Sequence, residues 1–248
     1  MKTQVKTPNE IELMRQSGKI LYDILNILSD KVEPGITTKK LDEIAASELR
    51  KRSAKAAFLG YEGFPASICI SVNEEIVHGI PSGRILSDGD IVGLDFGVEY
   101  QGMITDSAVT LAVGEISKDQ KRLLDYTQRA LYSAIDVIKD GVRVGDIGAA
   151  ADKQLRDGGL KVIKSLCGHG VGHRVHEDPA IPNFGYPGTG ETLKAGMTIA
   201  IEPIASLGTH DTYLAGDGWT YMTSDDSMSA QFEHTILITK DGAEILTA

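Results

Sequence analysis

Two aspartates spaced eleven residues apart could together hold a metal ion. Asp95 and Asp106 lie in the apolar stretch LDFGVEYQGMITDSAVT, residues 94–110. If this stretch forms a hairpin with a tight turn between Tyr100 and Gln101, the two aspartates are direct cross-strand partners. Their Cβ atoms then lie about 5 Å apart on one face of the sheet. Two carboxylates that close repel each other unless a proton or a positive charge lies between them.

A metal cation is the natural partner for this pair. No lysine or arginine occurs between residues 85 and 117. A buried strand rarely carries a carboxylate that nothing neutralises. Two alternatives stay open at this point: one or both aspartates face solvent, or a bulge shifts the register and separates them.

Two further carboxylates occupy similar positions. Glu202 lies in TIAIEPIA and Glu233 in SAQFEHTILI, each alone in a segment that otherwise predicts a buried strand. A solvated edge strand explains either glutamate taken alone. Four such carboxylates in one chain favour a shared site.

A glycine-rich segment contributes the candidate imidazoles. His169 lies in SLCGHGVGHRVHEDP, with His173 and His176 close behind it. The alternating glycines make a helix improbable, which excludes a helical zinc-binding pair, and they allow the backbone to approach a crowded site. The alternative for His169 is a hydrogen-bonded structural histidine.

The remaining histidines are weighed separately. His78, in NEEIVHGIP, has the same structural alternative as His169. His234 neighbours Glu233, so on a strand it points to the opposite face and is excluded from the site. His210 lies in a polar loop and is also excluded.

One imidazole and four carboxylates form a hard, oxygen-rich ligand set. Such a set suits Mn, Fe(II), Co or Mg better than a structural thiolate zinc site. Two divalent ions would balance four negative charges, and paired ions are a known device for hydrolysis. The two cysteines, Cys69 and Cys167, provide neither the number nor the spacing for a structural zinc site.

The composition is that of a globular protein with an acidic surface. The 248 residues are 42% hydrophobic and 24% charged, with a formal net charge of −10. This charge argues against non-specific binding to nucleic acid or anionic lipid. The start of the chain lacks an apolar signal-peptide region, and no apolar run is long enough to cross a membrane. With only two cysteines, the sequence predicts a cytoplasmic protein.

The order of elements predicts an α+β fold of two related halves, approximately residues 1–115 and 116–248. Capping boxes at TPNE and SKDQ begin the first helix of each half. The predicted helices run from about residue 8 to 34, 38 to 52, 118 to 141 and 146 to 157. Strands are predicted at 67–72, 90–100, 103–114, 197–205 and 229–239.

Nearly the whole chain resembles the type I methionine aminopeptidases. The motifs that carry the resemblance are NEEIVHGIP, GLDFGVEYQGMITDSA, CGHGVGHRVHEDPAIPNFG, IAIEP and SAQFEHT. The resemblance implies the pita-bread fold, with two pseudo-symmetric halves around a dinuclear metal site, and a single catalytic domain.

The resemblance also implies a role for each candidate residue. Asp106 and Glu233 would bridge the two ions, and Glu202 would be both ligand and base for the attacking water. His176 would contact the scissile amide and stabilise the tetrahedral intermediate, and His78 would donate a hydrogen bond to the substrate. The implied metal ligands are Asp95, Asp106, His169, Glu202 and Glu233.

A methionine side-chain pocket is implied near FLGYEGFPASIC and GWT. Its walls would be Phe58, Tyr61, Phe64, Cys69 and Trp219. On residue types alone, these side chains are simply core. Val175 stands where many relatives have an aromatic residue, and Phe58 stands where several bacterial relatives have cysteine.

The implied activity is removal of the initiator methionine from new polypeptides, with a preference for a small second residue. The implied cofactors are two divalent ions, which could be Co, Mn, Fe(II), Zn or Ni. The expected partners are nascent N-termini, with ribosome contact expected from the function, and the family suggests a monomer.

Two other functions are open to the sequence. One is a different pita-bread exopeptidase, such as an enzyme for X-Pro substrates, although those relatives carry an extra N-terminal domain for which Asp95 lies too early. Only about 25 residues separate His176 from Glu202, so the insertion of type II enzymes is absent. The other is a non-catalytic binding protein of the same fold, a kind of protein that loses metal ligands.

Overall fold

The fold was analysed in a computed structural model that describes residues 4–248. Residues 1–3 lie outside the described residues. They belong to the segment for which the sequence predicts no signal peptide. The helices are α1 (Pro8–Ser29), α2 (Thr38–Lys51), α3 (Lys118–Asp136) and α4 (Val144–Asp157). The mixture of these helices with antiparallel sheets confirms the predicted α+β class.

The strands are short except for one hairpin, and a single 3₁₀ turn spans Tyr61–Gly63. In chain order the strands are β1 (Lys55–Ala56), β2 (Cys69–Val72), β3 (Glu75–Val77), β4 (Ile91–Tyr100), β5 (Met103–Ala112), β6 (Lys161–Val162), β7 (Cys167–Gly170), β8 (Glu177–Pro182), β9 (Thr198–Ile201), β10 (Ile204–Ser206), β11 (Thr212–Leu214), β12 (Tyr221–Thr223), β13 (Ser229–Gln231), β14 (His234–Ile238) and β15 (Ala243–Ile245).

Both predicted capping boxes are present. The Thr7 side chain accepts from the Glu10 backbone and Ser117 from that of Gln120, and each partner side chain accepts in return. The predicted ends of α1 and α3 are each wrong by five residues. Beyond Ser29 and Asp136 the backbone turns through i→i−3 bonds, so the α-helical pattern stops before the glycines.

The two largest hydrophobic cores of the described residues lie between helices and sheets. One core joins α1 and α2 to β2 and β4 and includes Leu21, Leu41 and Phe96. The other joins α3 and α4 to β9 and β14 and includes Leu123 and Ile199. The division of the chain into halves near residue 115 stays a prediction.

The β4–β5 hairpin forms, but its predicted register is wrong. Tyr100 pairs with Met103, so the turn is Gln101–Gly102 and lies one residue later than predicted. Asp95 therefore faces Ala108, and Asp106 faces Gly97. Because the register error is two residues, both aspartates keep the same face and become diagonal neighbours rather than direct partners.

Two predicted strands are each broken at a glutamate. The segment 197–205 divides into β9 and β10 at Glu202–Pro203, and the segment 229–239 divides into β13 and β14 at Phe232–Glu233. Pro203 cannot donate to a sheet ladder, which explains the first break. At the second, Glu233 instead exchanges backbone hydrogen bonds with Ala108 of β5, at 2.8 and 3.3 Å.

Among residues 4–248, no helix is long and apolar enough to cross a membrane.

Candidate metal centre and substrate pocket

The five predicted metal ligands line one cavity of about 160 Å³. They come from five separate places in the chain, and all five side chains are buried. Asp95 is on β4, Asp106 on β5 and His169 on β7, whereas the two glutamates lie at the strand breaks described above. In an uninterrupted strand, the regular pleat would set the direction of the glutamate side chain. At these two breaks, the local backbone sets the direction of the carboxylate instead.

The ligand atoms are near enough to share an ion. One atom each from Asp106, His169 and Glu233 lies within 4.8 Å of the others. His169 Nε2 is 3.6 Å from Glu202 Oε1. Asp95 joins this group through its diagonal position beside Asp106.

Three buried carboxylate oxygens have no hydrogen-bond partner within the described part of the chain: Asp95 Oδ1, Asp106 Oδ1 and Glu233 Oε1. A buried unsatisfied carboxylate oxygen is costly, and most buried polar atoms in proteins are paired. Divalent cations accept such oxygens as ligands. The donor set therefore fits one or more divalent ions.

Electrostatics support the same conclusion. Burial raises the pKa of Asp95 to about 7. Burial, followed by repulsion from the neighbouring carboxylates, raises the pKa values of Asp106, Glu202 and Glu233 well above their usual range. Without a cation, these groups hold protons to avoid mutual repulsion; with one, they can ionise together.

Contacts behind the ligands fix their orientation. His169 Nδ1 lies 2.9 Å from the Gly170 carbonyl, which accepts its hydrogen and leaves Nε2 free to act as a ligand. Thr235 Oγ1 accepts from the Asp106 backbone at 2.8 Å. Asn183 donates to the Glu202 carbonyl at 2.9 Å.

Sequence reasoning missed Gln231, which donates from Nε2 to Glu202 Oε2 at 3.1 Å. It is buried and lines the cavity. The signal was present in the sequence, because Gln231 precedes Glu233 by two residues in the same apolar run. Polar residues two apart on an extended chain face the same side.

The two predicted substrate-contacting histidines also line the cavity. His176 Nδ1 is 3.1 Å from the Tyr61 hydroxyl, and its ring lies 4.4 Å from that of His169. His78 has a φ of 60° and packs edge-on against Tyr221. A left-handed histidine is uncommon and stores local strain, as often occurs at functional sites.

Burial keeps these imidazoles neutral at pH 7. It lowers the pKa of His78 to about 4 and that of His169 to about 3, and it also lowers the pKa of His176. Neutral imidazole is the form that binds metals and donates a single hydrogen bond. The excluded histidines lie elsewhere: His234 hydrogen-bonds Thr247 Oγ1 at 2.9 Å, and His210 is exposed.

The predicted aromatic pocket forms the apolar wall of the same cavity. It contains Phe58, Tyr61, Phe64, Cys69 and Trp219. Val175 packs into the same cluster, and the rings of Phe64 and Trp219 meet edge-on at 5.2 Å. The lining residues that sequence reasoning missed are Glu62, Val77, Leu166, Cys167, Ile204 and Gln231.

Trp219 provides a direct test of this wall. Its position in the turn between β11 and β12 brings the indole against Phe64 while leaving it partly accessible from the cavity. If the wall holds the methionine side chain that the resemblance implies, a Trp219→Ala variant is expected to raise KM for a methionyl peptide roughly tenfold. The change in kcat should be smaller, because apolar contact is lost in the ground state and transition state alike. Steady-state kinetics with Tyr213→Ala, an exposed residue of the same hairpin, as the control would check this. An unchanged KM would contradict a substrate-binding role for the wall.

The fold and the carboxylate–histidine cavity are those expected of a metallopeptidase. The profile of metallopeptidase family M24 matches residues 12–240, and the chain belongs to this family.

Within family M24, the full-length similarity is to methionine aminopeptidases. The chain is 45% identical to methionine aminopeptidase 1 of Bacillus subtilis over 242 residues, covering 98% of each chain. It is 44% identical to methionine aminopeptidase of Clostridium perfringens over 243 residues, again with 98% coverage of each. The resemblance found in the motifs is thereby confirmed.

Solved structures give the same grouping. The crystal structure of methionine aminopeptidase from Thermotoga maritima matches with a TM-score of 0.97 and 45% identity, covering 99% of both chains. Prolidase from Pyrococcus furiosus matches with a TM-score of 0.77 and 22% identity, and the similarity covers 98% of this chain but 65% of that one. The pita-bread fold is confirmed, and the X-Pro alternative is the weaker match.

Proposed function

We propose that this chain is a dinuclear-metal aminopeptidase that removes the N-terminal methionine from polypeptides. One observation carries the proposal: the carboxylate–histidine cluster and the apolar aromatic wall line a single cavity. A scissile bond placed at the cluster then has an apolar site beside it for the first side chain. The names of the relatives identify methionine as that side chain.

The arrangement of the carboxylates supports the proposal of two ions. Asp106 and Glu233 lie close to His169, and Asp106 also neighbours Asp95 on the hairpin. The shared carboxylates, Asp106 and Glu233, are the proposed bridges between two ions. The metal could be Co, Mn, Fe(II), Zn or Ni, since ligand type alone does not select among them. When bound, the ions lower the pKa of water and polarise the scissile carbonyl.

Glu202 is the proposed base. Its Oε2 accepts from Gln231, which orients the carboxylate, and its Oε1 faces His169. The Glu202 carboxylate accepts a proton from the attacking water and delivers it to the leaving amine.

His176 is the proposed donor to the developing oxyanion. If Nδ1 accepts the Tyr61 hydroxyl hydrogen, the neutral ring carries its own hydrogen on Nε2 and can donate it. A fixed donor stabilises charge that develops in the transition state. His78, held against Tyr221, is proposed to donate a hydrogen bond to the substrate.

The aromatic wall suits a methionine side chain. An unbranched thioether packs well against aromatic rings, with about 0.3–1.5 kcal/mol per sulfur–aromatic contact. We also propose a preference for a small second residue, action on nascent polypeptides at the ribosome, a cytoplasmic location and a monomeric state. The resemblance to methionine aminopeptidases implies action on nascent chains, and the net charge of −10 disfavours nucleic acid and anionic membranes as direct partners.

The experiment is a peptide-release assay on metal-stripped and reconstituted protein. Methionine release from Met-Ala-Ser is expected to disappear after chelation and to return when Mn, Fe(II) or Co is added. Cleavage of Ala-Pro-Ala should stay negligible throughout. Preferred cleavage of Ala-Pro-Ala would establish the X-Pro alternative, and methionine release that chelators do not affect would overturn the metal mechanism. A metal content of zero after reconstitution, with no cleavage, would favour the binding-protein alternative.

A further inference from the structure

A buried ion pair joins the start of the described chain to the loop that carries His176. Lys6 Nζ lies 3.3 Å from Glu177 Oε2, and the two side chains are 0% and 1% exposed. Lysine and glutamate are almost never fully buried unless they are paired. The loop, residues 171–176, connects β7 to β8, and Glu177 is the first residue of β8.

The Glu177 carboxylate also hydrogen-bonds the backbone of the loop. Its other oxygen, Oε1, accepts from the backbone amides of His173 and Arg174 at 2.7 and 3.1 Å. Such charge-assisted bonds are stronger than neutral ones. One carboxylate therefore ties two loop amides to the Lys6 ammonium.

Lys6 is itself held in place. Its backbone amide donates to the Gly196 carbonyl at 2.8 Å, and Nζ donates to the Gln4 carbonyl at 3.2 Å. The loop approaches so closely that a Cβ on Gly172 would lie 2.5 Å from Lys6 Cε. Gly172 also has a φ of 145°, which side-chain-bearing residues rarely adopt.

A second contact joins the same two segments. Glu10, in the first turn of α1, accepts from His173 Nε2 at 2.8 Å. The segment from Lys6 to Glu10 therefore contacts the loop at His173 and the start of β8 at Glu177. His176 directly precedes Glu177, and Val175, which precedes His176, packs in the aromatic wall.

We propose that Lys6 and Glu177 are positioning residues that hold the His176 ring where it can donate to the developing oxyanion. The inference rests on the proposed aminopeptidase function. Neither Lys6 nor Glu177 lines the cavity. The ion pair therefore acts on His176 through the loop backbone. A small displacement of a catalytic group reduces turnover more than ground-state binding.

A Lys6→Met variant tests the proposal in the reconstituted enzyme. We expect kcat for Met-Ala-Ser to fall about 10-fold to 100-fold, with KM changed less than about threefold. The matched control is Arg15→Met, which removes an ion pair of α1 with Glu244 on the partly exposed surface near β15. Arg15→Met is expected to leave kcat unchanged. An unchanged kcat in Lys6→Met, or an equal loss in both variants, would overturn the proposal.

A double-mutant comparison separates positioning from general damage. In a His176→Ala background, Lys6→Met should cause less than about a twofold further loss of kcat, because the group it positions is already absent. A full additional loss would show that Lys6 acts by another route. If Lys6→Met folds poorly, Glu177→Gln replaces it, since the amide oxygen can still accept from both loop amides while the charge is removed.

Hydrogen exchange provides a readout that does not depend on activity. The His173 and Arg174 amides should exchange at least about tenfold faster in Lys6→Met than in Arg15→Met, because their acceptor is no longer held by the ammonium. Equal exchange rates would show that Lys6 does not hold the loop. If the wild-type protein releases no methionine, the proposed aminopeptidase function fails, while the exchange rates still decide whether the ion pair fixes the loop.

Discussion

An Asp106→Ala variant is expected to bind neither of the two proposed metal ions. Its kcat/KM should fall by at least about 10³-fold, because metal ions supply several kcal/mol of transition-state stabilisation. Asp106 occupies the centre of the cluster. It lies on the same face of the hairpin as Asp95. One of its carboxylate oxygens lies within 4.8 Å of a potential ligand atom of His169 and of Glu233. Removing it takes a carboxylate from each proposed ion at once.

Asp95→Ala should behave differently. Asp95 lies on the hairpin side of the cluster and is not one of the three residues, Asp106, His169 and Glu233, whose ligand atoms all lie within 4.8 Å of one another. Its loss should weaken one ion strongly and leave the other close to its wild-type affinity. Isothermal titration of the metal-free proteins, together with metal analysis, would measure both sites.

The matched control for these two variants is Asp125→Ala, which removes an exposed aspartate from α3. It should bind two ions with wild-type affinity and keep wild-type kcat/KM. Equal weakening of both ions by Asp95→Ala, or two tightly bound ions in Asp106→Ala, would contradict the bridging role of Asp106.

The hairpin shows why the side of the sheet was predictable but the pairing was not. Alternation of apolar and polar residues identifies which side chains share a face, and that property survives a two-residue shift. The pairing depends on the turn, and Gln101–Gly102 forms it because both residues adopt positive φ, at 49° and 85°. A turn of this type favours glycine at its second position, which is Gly102 here. The centre of the turn therefore lies one residue later than the midpoint between the two aspartates.

The strand breaks at Glu202 and Glu233 have different origins. Pro203 provides a local signal for the first break. Nothing near Glu233 provides one for the second, because its backbone pairs with Ala108, which is 125 residues away in the chain. Local sequence patterns therefore indicated the candidate ligands but not the backbone that directs them.

The contacts that support the ligands show the same limit. The partner of Glu177 is Lys6, 171 residues earlier in the sequence, and Asn183 reaches the Glu202 carbonyl from another strand end. Residue type alone makes each of these an ordinary polar residue. Only the folded structure shows that they are buried and paired.

Metal binding is expected to stabilise the fold substantially, because four buried carboxylates converge on the cavity. At a free metal concentration 100 times Kd, the free energy of unfolding should increase by about 3 kcal/mol per site. For a chain of this size that corresponds to a rise in Tm of roughly 6–12 °C. Differential scanning calorimetry before and after chelation would measure it, and Asp106→Ala should show little response to added metal.

The pH dependence of the metal-free protein should have an identifiable sign. The pKa of Asp95 is raised from its usual value of 3.8 to about 7, and the pKa values of Asp106, Glu202 and Glu233 are raised as well. A carboxyl whose pKa is raised by folding stabilises the fold below its unfolded pKa, and this contribution is lost as pH rises through the folded pKa. The Tm of the metal-free protein should therefore fall between about pH 4 and pH 7 relative to that of Asp95→Asn.

Bound metal should reverse this trend, because ionised carboxylates are the better ligands. The rise in Tm on adding metal should be larger at pH 7 than at pH 5. A metal-free Tm that increases steadily from pH 4 to pH 7, with Asp95→Asn behaving identically, would show that burial of these carboxylates imposes no electrostatic cost. The convergence of carboxylates would then no longer explain why the site binds cations, and the metal would have to be held by geometry alone.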